Sequence, residues 1–445
     1  MEQEQGDRTD TAEPALARRI TRPVLLFLVL GIVLGTGIYT LVGSVVGRVG
    51  GFTWAAFVLA LALAGATVPA YAELATKYPQ AAGAALYVRL AFNRPLLTFL
   101  VGACVLTAVV AGAATAARAF ASSYLAVLVD VPVLPAVIGF VLLTGAVALR
   151  GITESTRTAV VLTAVELLGL LLVVAVGVAA VLTGTGDLGR AVVLPEGASP
   201  LPALIGAAGL AVFAFTGFDE ANQFVEETRN PTRAFPLALY GGLTVAAAVY
   251  LLVGLAAVTV VPPTELATND AALVTVVERG PLPLPSELFT VFGLVAVSNN
   301  GLLNLVVASR LLYGLGRQRT IPALFGRVGD RANPTIAVVT TVVLTGMLAM
   351  SGAVEQLAST TVVALLAVFV VVNVCCLRLR RDRVDHDHYR APTLLPVLGI
   401  GVSLALFTTQ SARSFLLAGL LLAAFVALYL LARLGARRHA AHDRA

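Results

Sequence analysis

Charged side chains are scarce in this sequence. They account for 12% of its 445 residues, whereas 58% are hydrophobic. An average soluble domain carries roughly 25% charged residues, so the composition excludes an ordinary soluble fold and indicates a polytopic membrane protein. The longest polar segments inside the chain, 314–334 and 378–392, are too short to form a soluble domain. The chain is therefore interpreted as one membrane domain with membrane lipids as partners.

Cysteine is scarce too, and catalytic motifs are missing. Cys104, Cys375 and Cys376 lie in or at the end of apolar stretches, where thiols behave as small hydrophobes, so no disulfide framework is expected. No Walker A loop, His-Glu-x-x-His or Ser/His/Asp pattern occurs. His386 and His388 alternate with aspartates, but a polar loop explains them better than a metal site. The sequence therefore predicts neither an enzyme nor an ATP-driven pump, and no metal or cofactor.

Apolar runs of membrane length fill most of the chain. A helix crosses the hydrocarbon core in about 20 residues, and the runs predict an all-α protein with twelve transmembrane helices. Their predicted ranges are 23–46, 53–75, 95–117, 132–149, 158–182, 201–222, 235–261, 286–313, 335–352, 356–377, 393–411 and 414–434. The first run is too long for a signal peptide and leads into further apolar segments, so it is predicted to be a retained span.

The basic residues predict the orientation. Twelve crossings place both termini on one side, and 25 of the 30 basic residues lie in the loops and tails of that side. The five others, Arg48, Arg118, Arg190, Arg279 and Arg413, lie opposite. Basic loops stay in the cytoplasm, so we expect a multi-pass protein of the cytoplasmic membrane with both termini inside. This placement also accounts for the net charge of +5 without a nucleic-acid partner.

Two glycine-centred interruptions lie in the middle of apolar runs, about 180 residues apart. They are Gly35-Thr36-Gly37 and Thr216-Gly217-Phe218. A broken helix leaves backbone N–H and C=O groups without partners, and such groups cannot face lipid. A matching pair of breaks in two halves of a chain is typical of transporters with inverted repeats and a binding site at the membrane midplane. The pattern predicts a secondary transporter of a small organic solute.

Four segments, in order and spacing, resemble a known family. Residues 35–38 (Gly-Thr-Gly-Ile) are similar to a first-span motif of the amino acid–polyamine–organocation (APC) superfamily. Segments 71–87, 213–231 and 309–322 resemble three further motifs of its permeases, although Ala84 stands where a glycine is usual. The resemblance implies a LeuT-type fold, in which two inverted repeats of five helices each begin with a broken helix, namely helices 1 and 6.

This fold divides the chain into expected units. They are a cytoplasmic tail at 1–22, a first repeat at 23–182 (helices 1–5), a second repeat at 201–377 (helices 6–10), two further helices at 393–434, and a tail at 435–445.

The resemblance also implies a substrate site made of backbone groups at the two breaks. The N–H groups suited to a substrate carboxylate, at the positive end of a half-helix, belong to Thr36, Gly37 and Ile38. The carbonyls suited to its ammonium belong to Ile32, Val33, Phe213 and Ala214. Gly35, Gly37 and Gly217 let the backbone leave helical geometry and let a ligand approach. Alternatively, the glycines only permit close helix packing.

Side chains near the breaks are further candidates. The resemblance places Phe213 where an aromatic closes over the substrate, and Phe215 flanks the same break. Asp219 is ionisable at membrane depth, which favours a functional role in substrate binding or gating. Asn304, one helical turn from Asn300, falls where the family contributes a side chain to the site. Packing of the aromatics and interhelical hydrogen bonding of the asparagines are the competing interpretations.

Glu166 is the candidate for ion coupling. It lies among apolar residues in the fifth predicted span, where an unpaired carboxylate is costly. Proton-coupled members of the superfamily carry a lysine at or beside this position, in place of a sodium ion. The resemblance therefore implies that Glu166 takes up a proton or binds sodium, and proton coupling is favoured. A structural hydrogen bond is the alternative.

Further acidic residues are candidates for an inner gate. Glu73 and Lys77 are four residues apart at a helix end, a spacing that permits an ion pair. Glu226 and Glu227 follow the second break. Solvated charges at helix ends explain all four equally well.

These features predict a proton-coupled amino acid permease that works by alternating access. An exchanger, a sodium-coupled permease and a polyamine permease remain alternatives within the same class. A membrane receptor that binds an amino acid without moving it is the alternative from another class.

Overall fold

The computed structural model describes residues 20–80, 83–149, 156–225, 227–317, 321–327 and 334–442. Within these ranges the regular structure is helical, apart from one bridge between Ile20 and Thr228. The α-helices are α1 (Arg22–Leu34), α2 (Thr36–Val49), α3 (Thr53–Lys77), α4 (Gly83–Phe92), α5 (Pro95–Ala119), α6 (Ala126–Leu128), α7 (Val133–Leu149), α8 (Thr156–Leu182), α9 (Pro200–Ala211), α10 (Pro231–Val260), α11 (Pro263–Leu266), α12 (Ala272–Arg279), α13 (Ser286–Arg317), α14 (Thr335–Ser351), α15 (Val354–Leu379), α16 (Leu394–Phe407) and α17 (Ala412–His442).

Length and apolar composition place most of these helices in a membrane. Eight helical stretches of the described chain are long and apolar enough to cross one, and the first, Arg22–Lys77, contains α1, α2 and α3. Helices α4, α7, α14 and α16 are shorter and also apolar. Each of the twelve predicted ranges contains helix. The fold is thus that of an all-helical, multi-pass membrane protein, and the count of twelve crossings remains a prediction.

Local sequence explains where several helices begin. A proline lies in the first turn of α1, α5, α9 and α10. Proline suits that position because the first N–H groups of a helix have no intrahelical partner, and its fixed φ is already helical. Helix α5 continues through one π-helical turn, Phe120–Leu125, into α6. Residues 120–128 therefore form a helical extension of α5.

The first predicted interruption is present. Helix α1 ends at Leu34, Gly35 adopts φ −47° and ψ −144°, and α2 begins at Thr36. This single non-helical residue separates two helices that are otherwise continuous in sequence.

The second interruption is wider than predicted. Helix α9 ends at Ala211 and continues as a tight 3-10 turn to Phe215, after which Gly217 adopts φ +102°. That left-handed φ favours glycine and turns the chain out of the helix. Only a 3-10 turn, Glu220–Phe224, follows within the described residues before α10. The α-helical second half expected for the sixth predicted span is therefore wrong for these residues.

Small residues bring α1 close to its neighbours. A Cβ on Gly242 of α10 would lie 2.6 Å from Cγ1 of Val29, and one on Gly31 would overlap Oγ1 of Thr163 on α8. Helices in membranes associate through close packing at such small residues rather than through the hydrophobic effect. As a result, α1 lies buried between α8 and α10, with Val29 and Leu34 fully enclosed.

Candidate functional site

A cavity of about 40 Å³ lies where the two breaks meet. Predicted site residues that line it are Ile32, Val33, Gly35, Thr36, Gly37, Phe213, Gly217, Asp219 and Asn304. Walls that the sequence did not predict come from α5 (Val105, Ala108, Val109 and Gly112), from α15 (Thr361 and Leu365), and from Thr216, Glu220 and Asn300. One buried water needs at least about 10–15 Å³, so the cavity has room for a few waters.

Glycines allow the backbones of the two breaks to pack directly against each other. A Cβ on Gly37 would fall within van der Waals overlap of Cα of Ala214. On the other side, a Cβ on Gly217 would lie 3.0 Å from the carbonyl oxygen of Ile32. Each break therefore has a glycine against the backbone of the other, and neither position has space for a larger residue.

The start of α2 presents backbone N–H groups to the cavity. Thr36 and Gly37 belong to its first turn and line the cavity, and the first four N–H groups of an α-helix lack intrahelical partners. The helix dipole adds partial positive charge there. Ile38 belongs to the same turn but is fully buried and does not line the cavity. The hydroxyl of Thr36 donates to Oδ1 of Asn300 at 3.0 Å, which joins α2 to α13.

Three of the four predicted carbonyls accept hydrogen bonds from the protein itself. The hydroxyl oxygen of Tyr250 on α10 lies 2.6 Å from O of Val33 and 2.8 Å from O of Ala214. O of Phe213 accepts from the hydroxyl of Thr216 at 2.7 Å. One phenol proton thus bridges the two breaks. The prediction that these carbonyls are free for an ammonium is wrong in this respect, although a carbonyl oxygen can accept a second hydrogen bond.

Tyr250 itself was missed by the sequence analysis. It lies 33 residues after Gly217, within a long apolar helix, and is fully buried. A tyrosine in such a run is indistinguishable from packing until the fold places its hydroxyl beside the break. Phe215 packs against it, with ring centroids 5.0 Å apart, and also against Phe57 at 6.4 Å. Phe215 does not line the cavity, whereas Phe213 does.

Two neighbouring carboxylates line one end of the cavity. Asp219 was predicted and Glu220 was not, although its position next to Asp219 is a usable signal. Oδ1 of Asp219 accepts the N–H of Gly217 at 3.2 Å, which closes the turn after the break. Among the described lining residues there is no basic side chain, so the cavity wall carries only acidic ionisable groups.

Two asparagines of α13, Asn300 and Asn304, form another part of the cavity wall. Nδ2 of Asn304 donates to O of Asn300 at 2.9 Å, and Asn300 in turn accepts from Thr36. A Cβ on Gly112 of α5 would lie 2.8 Å from Oδ1 of Asn304, so α5 and α13 meet closely here. Both asparagines therefore line the cavity, and Asn300 also connects α13 to α2.

Glu166 lies behind the cavity rather than in its wall. It is fully buried on α8, and Nδ2 of Asn299 donates to its Oε1 at 3.0 Å. The hydroxyl of Tyr39 on α2 donates to the backbone oxygen of Glu166 at 2.5 Å. Asn299 directly precedes Asn300, and Tyr39 lies one helical turn after Thr36; Asn300 and Thr36 both line the cavity. The sequence did not predict Asn299 as a partner of Glu166.

Glu73 and Lys77, two of the predicted inner-gate residues, bind other partners than each other. Glu73 is buried and forms a bidentate ion pair with Arg380, at 3.0 and 2.8 Å, and also accepts the N–H of Ala391. Nζ of Lys77 donates to the carbonyls of Leu379 and Asp382 at 2.6 and 2.5 Å. The Glu73–Lys77 pair is therefore wrong. Both side chains instead hold the end of α15 and the loop that follows it.

Glu226 and Glu227 are the two remaining gate candidates. Glu226 lies outside the described residues. The backbone oxygen of Glu227 accepts the N–H of Ile20 at 2.9 Å, which ties the segment after the second break to the start of α1.

A larger cavity of about 650 Å³, called here the vestibule, adjoins the small one. Val105, Asp219 and Glu220 line both. The vestibule lies among the end of α3, helix α4, the start of α5 and the end of α13, on the side whose loops carry most of the arginines. The two carboxylates therefore stand at the junction of the small cavity and this vestibule.

The opposite end of the bundle is bridged by an ion pair. Arg48, at the end of α2, pairs with Glu355 at the start of α15 and donates to O of Gly206 on α9 at 2.8 Å. Helices α2 and α9 are the helices next to the two breaks on that side. One arginine thus joins both broken elements to α15 where the vestibule is absent.

The sequence of the chain is similar to those of known amino acid permeases and transporters. A family model described as "Amino acid permease" matches residues 21–428. "Cationic amino acid transporter 9, chloroplastic" of Arabidopsis thaliana is 27% identical over 341 residues, which are 72% of this chain and 58% of that protein. "Branched-chain amino acid permease BcaP" of Lactococcus lactis is 27% identical over 225 residues, 48% of each chain. The matched region spans 56–60% of the four plant cationic transporters that resemble the chain.

Proposed function

The chain belongs to the amino acid permease family of the APC superfamily, and from that premise we propose that it is a secondary active transporter of amino acids. The observation that carries the proposal is the meeting of two helix interruptions at one small polar cavity that adjoins a larger vestibule. Unpaired backbone groups at membrane depth require a protein partner, a ligand or water.

An amino acid matches the chemistry of the cavity wall at both ends. Its carboxylate binds the N–H groups of Thr36 and Gly37 at the positive end of α2. Its ammonium lies toward Ile32 and the carboxylate of Asp219, which compensates for the carbonyls that Tyr250 and Thr216 already engage. Phe213 closes over the substrate, and Asn304 contacts it from α13. Because the cavity has room for a few waters and not for an amino acid, it widens when the substrate enters.

A cationic amino acid is the substrate class that the charges favour. Asp219 and Glu220 line the cavity, and the described lining residues include no basic group to neutralise them. Several relatives carry the name of cationic amino acid transporters, although others are named for branched-chain residues or for glutamate and serine. A second positive charge on the substrate would therefore find a carboxylate at the end of the cavity that leads to the vestibule.

The contrast between the two ends of the bundle supports the proposal of alternating access. Arg48 and Glu355 join the broken elements on one side, while the vestibule reaches the cavity from the other. We propose that the chain forms twelve spans, namely two inverted repeats of five helices and two further helices. It crosses the cytoplasmic membrane with both termini in the cytoplasm. The structure then corresponds to a state that is open to the cytoplasm and closed outside. Rocking of the broken helices against their neighbours exchanges the two conditions.

Proton coupling is proposed at Glu166. The carboxyl group is fully buried on α8 and receives a hydrogen bond from Asn299, and its backbone is bound to Tyr39 of α2. A buried carboxylate in a span is costly to leave charged without compensation. Uptake and release of a proton there therefore changes the contact between α8 and the first broken element, which connects protonation to the cavity.

Uptake into proteoliposomes tests the proposal. The purified protein is reconstituted, and accumulation of radiolabelled arginine, leucine and glutamate is measured with and without an inward proton gradient. We expect arginine to accumulate most, and only with the gradient. Uptake of leucine alone would overturn the cationic substrate but keep the transporter. Saturable binding without uptake or exchange would instead indicate a receptor.

A further inference from the structure

Arginines are concentrated on the wall of the vestibule. Those that line it are Arg89 on α4, Arg94 just before α5, Arg310 on α13 and Arg433 on α17. All four are exposed, and none makes an ion pair with a carboxylate of the described residues. The acidic groups among the described lining residues, Asp219 and Glu220, stand at the inner end. A concave wall with several like charges focuses the positive potential, so the outer part of the vestibule attracts anions.

A buried hydroxyl beside one of these arginines also needs a partner. Tyr429 of α17 lines the vestibule and is 5% exposed, and its ring stacks on Phe99 with centroids 4.5 Å apart. The guanidinium of Arg433 lies 5.1 Å from the centre of the same ring. The hydroxyl of Tyr429 has no hydrogen-bond partner in the described part of the chain. Buried polar groups are rarely left unsatisfied, because each costs free energy. A ligand that accepts a hydrogen bond would remove this cost.

The surroundings of α17 indicate where such a ligand comes from. Next to Tyr429, Leu430 and Leu431 are 53% and 60% exposed, as expected for a helix that faces lipid tails. Arg433 is therefore placed where an apolar surface meets the arginine-rich end of the bundle. Basic pockets between helices at the cytoplasmic surface recruit the headgroups of anionic lipids. The planar guanidinium group fits phosphate oxygens in a bidentate manner.

We propose that the vestibule binds the phosphodiester headgroup of an anionic phospholipid. Arg433 and Arg94 hold the phosphate oxygens, and Tyr429 donates its hydroxyl proton to one of them. The acyl chains lie along the apolar surface of α17. The bound lipid neutralises arginines that a cationic substrate would otherwise meet on its way out, so this part of the inference rests on the proposed function, while the binding site itself does not.

Lipid binding to the delipidated protein tests the site without any transport. The full chain in a non-ionic detergent is titrated with phosphatidylglycerol or phosphatidylcholine, and bound lipid is counted by native mass spectrometry. We expect phosphatidylglycerol to bind preferentially. Each of Arg433→Gln and Arg94→Gln should weaken it about fivefold, the effect of one basic side chain near an anionic membrane surface. Arg381→Gln removes the same charge from an exposed arginine of the same end, outside the vestibule, and should have no effect.

Two further variants separate the site from general changes in folding. Tyr429→Phe keeps the ring stack and should weaken phosphatidylglycerol without lowering the melting temperature of the lipid-free protein. Arg433→Lys keeps the charge but loses the bidentate fork and should weaken binding less than Arg433→Gln. Equal binding of the two lipids, or an equal loss in Arg381→Gln, would overturn the site. Competition by millimolar inorganic phosphate would assign it to a free anion and overturn the lipid as the ligand.

Discussion

Single residues decide how closely the two helix breaks approach each other. Gly37 lies against the backbone of Ala214, and Gly217 lies against the backbone of Ile32. Tyr250 then bonds to carbonyls of both breaks with one hydroxyl. The geometry of the cavity therefore depends on the absence of a side chain at Gly37 and Gly217 and on the hydroxyl group of Tyr250. None of these three residues is charged.

Gly37→Ala should disable the substrate site. The added methyl group overlaps Cα of Ala214, which is backbone and cannot rotate away. Overpacking of this kind costs about 1–3 kcal/mol, so separation of the breaks should weaken apparent substrate affinity by roughly five- to a hundredfold. Gly65→Ala is the control, because a Cβ at Gly65 on α3 meets nothing within 4 Å. Equal affinities of both variants and the parent in a proteoliposome uptake assay would contradict the contact.

Tyr250→Phe should destabilise the protein. It leaves the carbonyls of Val33 and Ala214 without their buried donor, and an unsatisfied buried polar group costs about 1–3 kcal/mol. We expect a lower melting temperature in detergent. Tyr87→Phe is the matched control, because Tyr87 is equally buried and its hydroxyl has no hydrogen-bond partner among the described residues. If both variants melt at the same temperature, the bridge between the breaks contributes nothing.

At the scale of helices, the elements beside the breaks are held at one end and open at the other. Arg48 connects α2 with α9 and α15, while α3, α4, α5 and α13 surround the vestibule. At the vestibule end, Glu73 and Arg380 join α3 to the end of α15 through a buried bidentate pair. Helix α15 is thus tied to a different partner at each of its ends, which suits an element that moves relative to one of them.

Glu355→Gln should favour opening at the Arg48 end. The two side chains are 34% and 41% exposed, so the pair contributes at most about 1 kcal/mol, and the shift should be no more than about fivefold. In a variant without native cysteines, a thiol introduced by Thr98→Cys in the vestibule should react correspondingly more slowly with a water-soluble maleimide. Glu265→Gln, which breaks the exposed pair with Arg279, is the control. Faster labelling in Glu355→Gln would contradict a lock at this position.

The whole molecule connects a buried carboxyl group to the cavity through its neighbours. Glu166 on α8 is linked to α13 by Asn299 and to α2 by Tyr39. Asn300, the next residue of α13, lines the cavity and binds Thr36. We therefore expect a change of charge at Glu166 to act on the cavity wall through these adjacent residues, although the carboxyl group itself lies outside the cavity.

Glu166→Gln should abolish accumulation driven by a proton gradient and spare exchange of substrate across the membrane. One charge moved through 100 mV is worth about 2.3 kcal/mol, which corresponds to roughly fiftyfold accumulation. Glutamine keeps the size and the acceptor for Asn299 but cannot titrate. Glu196→Gln, in an exposed segment, is the control. Undiminished pH-driven uptake in Glu166→Gln would remove this residue from the coupling role.

Several features followed from the sequence because they depend on local chemistry. Low charge and long apolar runs indicated a helical membrane protein, since backbone groups in lipid must be satisfied within each helix. Gly35 and Gly217 marked the breaks, because glycine has no side chain to obstruct a close contact and adopts backbone conformations that other residues avoid. The family resemblance of residues 35–38 and three later segments is confirmed by the family match over 21–428.

Other features depend on contacts between distant segments, and only the tertiary structure decided them. The partners of Glu73 and Lys77 lie about 300 residues away, so the local spacing of four suggested a pair that does not form. Tyr250 reaches both breaks through helix packing that no sequence periodicity predicts. The second break is wider than its sequence suggests, because Gly217 adopts φ +102° and the next described turn is a 3-10 turn. The type of a helix and the position of its breaks are local properties of the sequence. The hydroxyl that joins the two breaks belongs to Tyr250, and only the packing of α10 beside them brings it there.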